Sequence, residues 1–366
     1  MPSYAPYKPS PYKQGGLALI TVLFIFALVS LLAVSMQKRQ VMSMAQASAT
    51  FNRSQAMLLA VSAEDVAKAF LKLDGTRDNQ NNKPLDSAVE LWNKPVTMPL
   101  SSAEVFMSIR DLQGLFNLNA LRMNPSGTNA AAVDKARERF ESLLSSLSLP
   151  ASAIPSTIAR ETQDWLDENS AASNTYQNLT PPYRASGLDF SHPSELLLLE
   201  SMDLESYHII EPYVTALPYG TPLNVNTTHE HILQAWDPTL SLSKAKAVVA
   251  VARAGECGPT FRDTNVFASI DDFWQNKIIE DQVDPVKNAK GHTNWGREDF
   301  AVKSQYFSVM IMIKTGQDAD ASQLILESII KRDMGPDGFI GVVYRDFSRK
   351  LEDITTRLKI INCSPT

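Results

Sequence analysis

The rhythm of apolar and polar positions changes several times along the chain. Residues 17–36 (LALITVLFIFALVSLLAVSM) carry no formal charge, and their only hydroxyls are Thr21, Ser30 and Ser35. At ~1.5 Å per residue this run makes a helix ~30 Å long, enough to cross a hydrocarbon core with its backbone bonds kept internal. The three hydroxyls can bond back to their own helix. From 37 to 74 there is no Gly or Pro. Val41, Met44, Phe51, Leu58, Val61, Val66, Phe70 and Leu73 recur there at three- and four-residue spacing. That pattern predicts an amphipathic helix continuous with the first and ended by Gly75. Residues 75–100, with an Asp/Asn/Gln cluster at 78–82, read as loop.

A period of two follows. Residues 103–110 (AEVFMSIR) alternate as a strand, and Gly114 marks a turn. The stretch 122–295 then reads as mostly helical, with segments at 130–147, 154–168, 193–202, 205–215, 228–236, 242–253 and 270–278. Proline and Gly/Asn clusters separate them. A connection of this length is no loop, so it predicts a helical domain inserted into another one. Alternation returns at 304–316, with Phe307, Val309, Ile311 and Ile313 on one face, and at 321–333, with Leu324, Leu326, Ser328 and Ile330. It continues at 339–347 across the hairpin turn Pro336-Asp337-Gly338. The predicted fold class is α+β: a long N-terminal helix packed on a small antiparallel sheet, with a large, mostly helical domain inserted in the sheet region. The boundaries are 1–16 as leader, 17–36 as the transmembrane half of the helix, 37–121 with 296–366 as the α+β domain, and 122–295 as the insert.

Composition narrows the function classes. The chain has 366 residues, 44% hydrophobic and 20% charged, which suits a folded protein. A net charge of −6 argues against an extended nucleic-acid surface, which needs clustered Lys and Arg. Two cysteines, Cys257 and Cys363, are compatible with one disulfide in an oxidising compartment or with two unrelated thiols. Ser364 and Pro365 do not suit a prenylation box around Cys363.

Known chemical signatures are scarce. His229-Glu230-His231 is not H-E-x-x-H, and two histidines at i, i+2 do not share a helix face, which speaks against zinc there. Nucleophile elbow, P-loop and dinucleotide fingerprints are absent from the sequence. Residues 237–259 look like one helix-hairpin-helix unit, with Ser241-Leu242-Ser243 in place of the usual hairpin glycines. A packing motif that holds no DNA is the favoured reading. The stretch 164–170 (DWLDENS) gathers Asp164, Asp167, Glu168 and Asn169 where a helix enters a loop, an oxygen-rich set of the kind hard cations use.

The N-terminus carries a resemblance. Residues 17–36 are longer than a secretory h-region, and the nearest A-x-A site, Ala45-Gln46-Ala47, lies beyond Lys38 and Arg39. Lys8 and Lys13 before the run balance Lys38 and Arg39 after it, so charge does not set the orientation. The junction Lys13-Gln14-Gly15-Gly16-Leu17 resembles the type III signal of the type IV pilin superfamily. In that superfamily a prepilin peptidase cuts after the glycine on the cytoplasmic side and methylates the new N-terminus. The resemblance puts the cut between Gly16 and Leu17, makes Leu17 the methylated residue and Thr21 the fifth mature one. Most members have glutamate at the fifth position. Thr21, the helix, FNLNAL (116–121), DWLD (164–167) and PLNVN (222–226) together resemble minor pseudopilin K of the type II secretion system.

The resemblance implies a pilin-like fold and no enzymatic role. It implies a single-pass protein of the inner membrane, periplasmic in its bulk, at the tip of the pseudopilus, where it would help initiate assembly and export. Its implied partners are I-, J- and H-type minor pseudopilins, prepilin peptidase, the inner-membrane assembly platform, secreted substrates and the outer-membrane secretin. It also implies calcium in the helical domain, here at Asp164, Asp167 and Asn169, although the acid-rich stretch usual in the family is replaced by 171–187. Two alternatives remain: a minor pilin of a type IV pilus or DNA-uptake system, and a single-pass periplasmic membrane-anchored protein.

Overall fold

The computed structural model describes residues 15–81, 84–100, 103–124, 126–168, 170, 172–237, 239–253, 266–284, 286, 295–315, 322–333 and 338–348. The chain divides into two units, residues 1–57 and 58–366.

Helix α1 (Gly15–Asn81) runs through the end of the first unit. Within that unit its apolar side chains point outward all round; Phe24 and Phe26 are 69% and 70% exposed. Among the described residues, α1 is the one helix long and apolar enough to cross a membrane, with a mean hydropathy of 2.7 in its most apolar window. Its hydroxyls are satisfied locally: Thr21 Oγ1 donates to Ala18 O at 2.9 Å and Ser35 Oγ to Leu32 O at 2.8 Å.

The second unit begins inside α1, and here the buried face differs from the expected one. Leu58, Val66, Phe70 and Leu73 are exposed, whereas Ala60, Ala63, Ala67, Leu71 and Glu64 are buried. The reason is steric. Small side chains let a helix approach a sheet closely, and the strands supply the bulk. Glu64 is fully buried. Its carboxylate accepts from Ser328 Oγ at 2.6 Å and takes both nitrogens of the Arg345 fork, Nε at 2.9 Å and Nη2 at 2.6 Å. Burial alone would raise its pKa, but the bonds to Arg345 and Ser328 and the charge of Arg345 outweigh this and hold it below the ordinary value.

Gly75 does not end the helix, which continues to Asn81. Arg332 packs beside it, its Cδ 3.7 Å from where a Cβ would lie, an ordinary contact that a small side chain would also allow. Arg332 Nη1 bonds Leu71 O at 3.2 Å and Asp74 Oδ2 at 3.1 Å. Gly75 therefore does not cap the helix, and Arg332 holds the chain on both sides of it.

The main sheet comprises β1 (Val96–Pro99), β2 (Ala103–Asp111), β7 (Tyr306–Thr315), β8 (Ser322–Arg332) and β9 (Ile340–Asp346), numbered along the chain and hydrogen-bonded in that order. Every pairing is antiparallel. Strand β1 lies in the region read as loop; it is short, ends in proline and pairs only with β2, so it gives little alternation to detect. Val105, Met107, Ile109, Phe307, Val309, Ile311, Leu326 and Ile330 fill one face, the one on which Ser328 reaches Glu64. On the other face Ile329 joins the core of the helical region. There Glu327 lies 3.6 Å from His192, which stacks on Tyr344 at 5.4 Å.

The chain leaves the sheet after β2 and returns beside it at β7, with Leu112 N bonded to Tyr306 O at 3.0 Å. Between them come two short parallel pairings, β3 (Phe116–Asn117) with β4 (Val214–Thr215), and β5 (Leu223–Asn224) with β6 (Phe300–Ala301). The helices are α2 (Ala130–Ser146), α3 (Pro155–Leu166), α4 (Ala172–Gln177), α5 (Leu204–Ile210), α6 (Glu230–Ala235), α7 (Leu242–Arg253), α8 (Ile270–Trp274) and α9 (Lys277–Val283). Three expected helices are shorter than read: 193–202 is a 3-10 helix over Pro193–Leu198, and two more differ further on. The segment 205–215 ends in a 3-10 turn at Pro212 and then β4. The segment 270–278 breaks because Asn276 caps a new helix, accepting from Ile278 N at 3.1 Å.

Asparagines wire this region to the sheet. Asn119 exchanges bonds with Phe190, donating to its O at 3.1 Å and accepting from its N at 2.8 Å. Asn226 does the same with Phe267, both at 2.9 Å. Asn224 Nδ2 is surrounded by Asp86 O, Asp111 Oδ2 and Ser304 Oγ at 2.8 to 3.0 Å. Each side-chain amide acts like a strand partner for a distant backbone. The Cβ of any residue but glycine at 114 would lie 2.6 Å from Thr227 O, so this junction is closed by backbone contact.

Replacing Glu64 with Ala removes the anchor of α1 on the sheet. We predict a loss of about 2 kcal/mol at neutral pH, the scale of hydrogen bonds to a charged group, since the Arg345 end of the pair is exposed. Because the folded carboxyl is depressed, this contribution is present above the ordinary carboxylate pKa and fades as pH falls through the folded value. Denaturant titrations of both chains at pH 7 and pH 3 check it: the gap between them should shrink in acid, and a gap independent of pH would refute the ion-pair account.

Candidate functional site

The N-terminal junction lies at the start of α1. Gly15, Gly16 and Leu17 have helical backbone, and residues 1–14 fall outside the described residues. Thr21 is exposed, and its hydroxyl is used by Ala18 O, so the position offers no carboxylate to an amine.

The DWLD segment closes α3. Asp164 is on the helix and Asp167 is its C-cap, with φ −88° and ψ 115°. Trp165 between them is buried and packs edge-on against Tyr176 at 5.2 Å; Tyr176 stacks on Tyr183 at 5.2 Å. The returning loop closes at Gly187, whose N donates to Trp165 O at 3.0 Å. Gly187 has φ +61°, and its Cβ position is 3.0 Å from Glu168 Cα, so the close approach selects glycine. The aromatic trio therefore shapes a loop beside two carboxylates. Burial raises the pKa of Asp164, helped by the charges of Asp167 and Glu161, while Ser170 and Arg160 oppose it. Asp164 and Asp167 supply carboxylate oxygens at a helix C-terminus, the donor type hard cations use, but among the described residues they are not gathered with a third ligand. Asn169 lies outside the described residues, as do Cys257 and Cys363.

Sequence reasoning missed a second acidic cluster. Asp74 on α1 and Asp86 and Glu90 in the following loop bring carboxylate oxygens within 4.8 Å of one another. Arg332 pairs with Asp74 at 3.1 Å and also with Asp86, and its guanidinium lies 4.8 Å over Phe307. Glu90 accepts from Trp92 Nε1 at 2.8 Å and from Ser87 N at 2.9 Å. Burial, then Asp74 and Asp86, push its pKa up to about 9, so it is protonated at neutral pH. Burial and Asp86 push Asp74 up to about 6, against the pull of Arg332. Asp74 lies on the helix and Asp86 and Glu90 in the loop after it, so no regular spacing announces them.

The histidine expectation needs correction. His229 and His231 do meet: their rings stack at 5.5 Å with 13° between planes. The spacing argument assumed that both lie on a helix, whereas His229 is the extended N-cap of α6. The helix-hairpin-helix-like stretch is a packing unit. Ala245, Val248 and Val249 of α7 are buried. Before α7, fully buried Asp237 binds Trp295 Nε1 at 2.9 Å and Gln282 Nε2 at 3.0 Å. An open cleft of about 510 Å³ lies between α2 and Trp295, lined by Phe116, Lys135, Tyr219, Trp236 and Arg139 among others. Arg139 stacks 4.4 Å over Trp236 and bonds Asp299 at 2.9 Å.

Comparison with known proteins gives a consistent picture. The family described as "Type II secretion system (T2SS), protein K" matches residues 114–219 and 223–291. Type II secretion system protein K of Pseudomonas aeruginosa is 28% identical over 354 residues, covering 92% of this chain and 93% of that one. Its counterpart in Klebsiella pneumoniae is 34% identical over 224 residues, covering 59% and 67%. Among solved structures, a chain in the crystal structure of the GspK-GspI-GspJ complex from enterotoxigenic Escherichia coli has the same fold, with TM-score 0.64 at 23% identity. It covers 83% of this chain and 100% of that one.

Proposed function

Because this chain belongs to the type II secretion system protein K family and is a minor pseudopilin, we propose that it forms the tip of the pseudopilus. There it would help initiate assembly and protein export across the outer membrane. The observation that carries this reading is the helical region mounted on the sheet face away from α1. A subunit stacked against that face would clash with it, and only the end of a fibre lacks such a subunit. Thr21 supports the same position, since its back-bonded hydroxyl cannot neutralise the amine of a further subunit. The outward stripe of Leu58, Val66, Phe70 and Leu73 suits packing against neighbouring helices.

In this reading prepilin peptidase cuts between Gly16 and Leu17 and methylates Leu17, and α1 passes from the inner membrane into the bundle with its backbone bonds intact. The bulk of the chain is periplasmic. The solved relative was crystallised with GspI and GspJ, which supports I- and J-type partners here; an H-type subunit nearby is part of the same proposal. The assembly platform, the secretin and secreted proteins are the further contacts. No catalytic step is part of this role. Asp164, Asp167 and Asn169 would hold a calcium ion, which would supply charge neutralisation at the end of α3.

Mass spectrometry of the chain from cells with active prepilin peptidase tests the assignment. The mature protein should begin at N-methylated Leu17; a retained Met1 would point to an ordinary membrane anchor instead. Calcium should raise the melting temperature by several degrees, more at pH 8 than at pH 5, because protons compete for the raised Asp164 carboxyl. Asp164→Asn should abolish that response, and a response that survives it would place the ion elsewhere.

A further inference from the structure

His229, Glu230 and His231 are consecutive, yet their donors converge: one nitrogen of each imidazole and one Glu230 oxygen lie within 4.8 Å of one another. The backbone explains this. His229 is the N-cap of α6, with φ −104° and ψ 152°, so its side chain is not bound to the helical 100° step and swings beside that of His231 in the first turn. Tyr213, in the turn after α5, meets both rings edge-on at 4.9 and 5.7 Å and walls them in. His231 Nδ1 is 3.0 Å from Ser146 Oγ at the end of α2. A hydroxyl on one ring nitrogen fixes the orientation of the imidazole and leaves Nε2 as the ligating atom. Glu230 Oε2 is 3.3 Å from His229 Nδ1, and both side chains are 19% exposed, open enough for an ion to enter.

We propose that His229, Glu230 and His231 form a binding site for a zinc-class divalent cation, with a fourth position open to water. Two imidazoles and a carboxylate are the donor set that zinc accepts, and calcium disfavours nitrogen, so the site is chemically distinct from the one at Asp164. The ion would sit where α2, the turn at Tyr213 and α6 meet, ligated from the start of α6 alone and fixing the rings that Ser146 and Tyr213 contact.

The test uses the full chain in detergent, stripped with chelator and titrated with Zn²⁺ alone by calorimetry, with metal content measured after gel filtration. One zinc per chain should remain bound, and the melting temperature should rise. His231→Ala should weaken binding by about tenfold or more while leaving the calcium response intact. Glu230→Gln, which keeps the side-chain shape, should also weaken it and decides the matter if the alanine variant fails to fold. Failure of the wild type to retain stoichiometric zinc, or undiminished binding in these variants, would overturn the proposal.

Discussion

A carboxylate at position 64 cannot be buried without a partner, and the rest of the second unit is arranged around that requirement. Arg345 from β9 and Ser328 from β8 converge on it. This fixes which side of α1 faces the sheet, and the alanines at 60, 63 and 67 let the helix lie close. The opposite side then has no choice but to carry Leu58, Val66, Phe70 and Leu73 outward. One ion pair with its carboxylate buried thus decides both how the helix docks and which apolar surface it leaves outward. Arg332 repeats the device one end further on, bonding Leu71 O and pairing with Asp74 and Asp86.

The helical region is held by a different kind of contact. The junction at β2 and β7 is polar and fully buried, built from Asp111, Asn224, Ser304 and Asp86. Buried polar networks of this sort are directional, so they set orientation more sharply than apolar packing does. For a subunit read as the end of a filament, a rigidly mounted domain matters because it is what excludes a further copy. The asparagines of FNLNAL and PLNVN, which carried part of the family resemblance, are the residues that do the mounting.

Much of this was legible in the sequence. The strands at 306–315 and 322–332 announced themselves because alternating burial leaves a period of two, and the membrane run because twenty uncharged residues have few other uses. Spacing of large apolar residues mispredicts the face of α1, because the true contact uses alanine and a paired glutamate. Gly75 is no stop, because Arg332, far away in sequence, bonds Leu71 and Asp74 around it. The asparagine bridges, the Asp74, Asp86 and Glu90 cluster and the meeting of His229 with His231 have no period at all. Each depends on a backbone conformation or a long-range approach that only the fold supplies. The membership of the family, by contrast, was readable from Thr21 and a handful of short motifs.

The central claim is that this chain caps a filament. Its copy number in isolated pseudopili of different lengths tests that most directly, by quantitative mass spectrometry against the major subunit. The account predicts about one copy per filament whatever the length. A copy number that grows in proportion to filament length would place the chain along the shaft and contradict it.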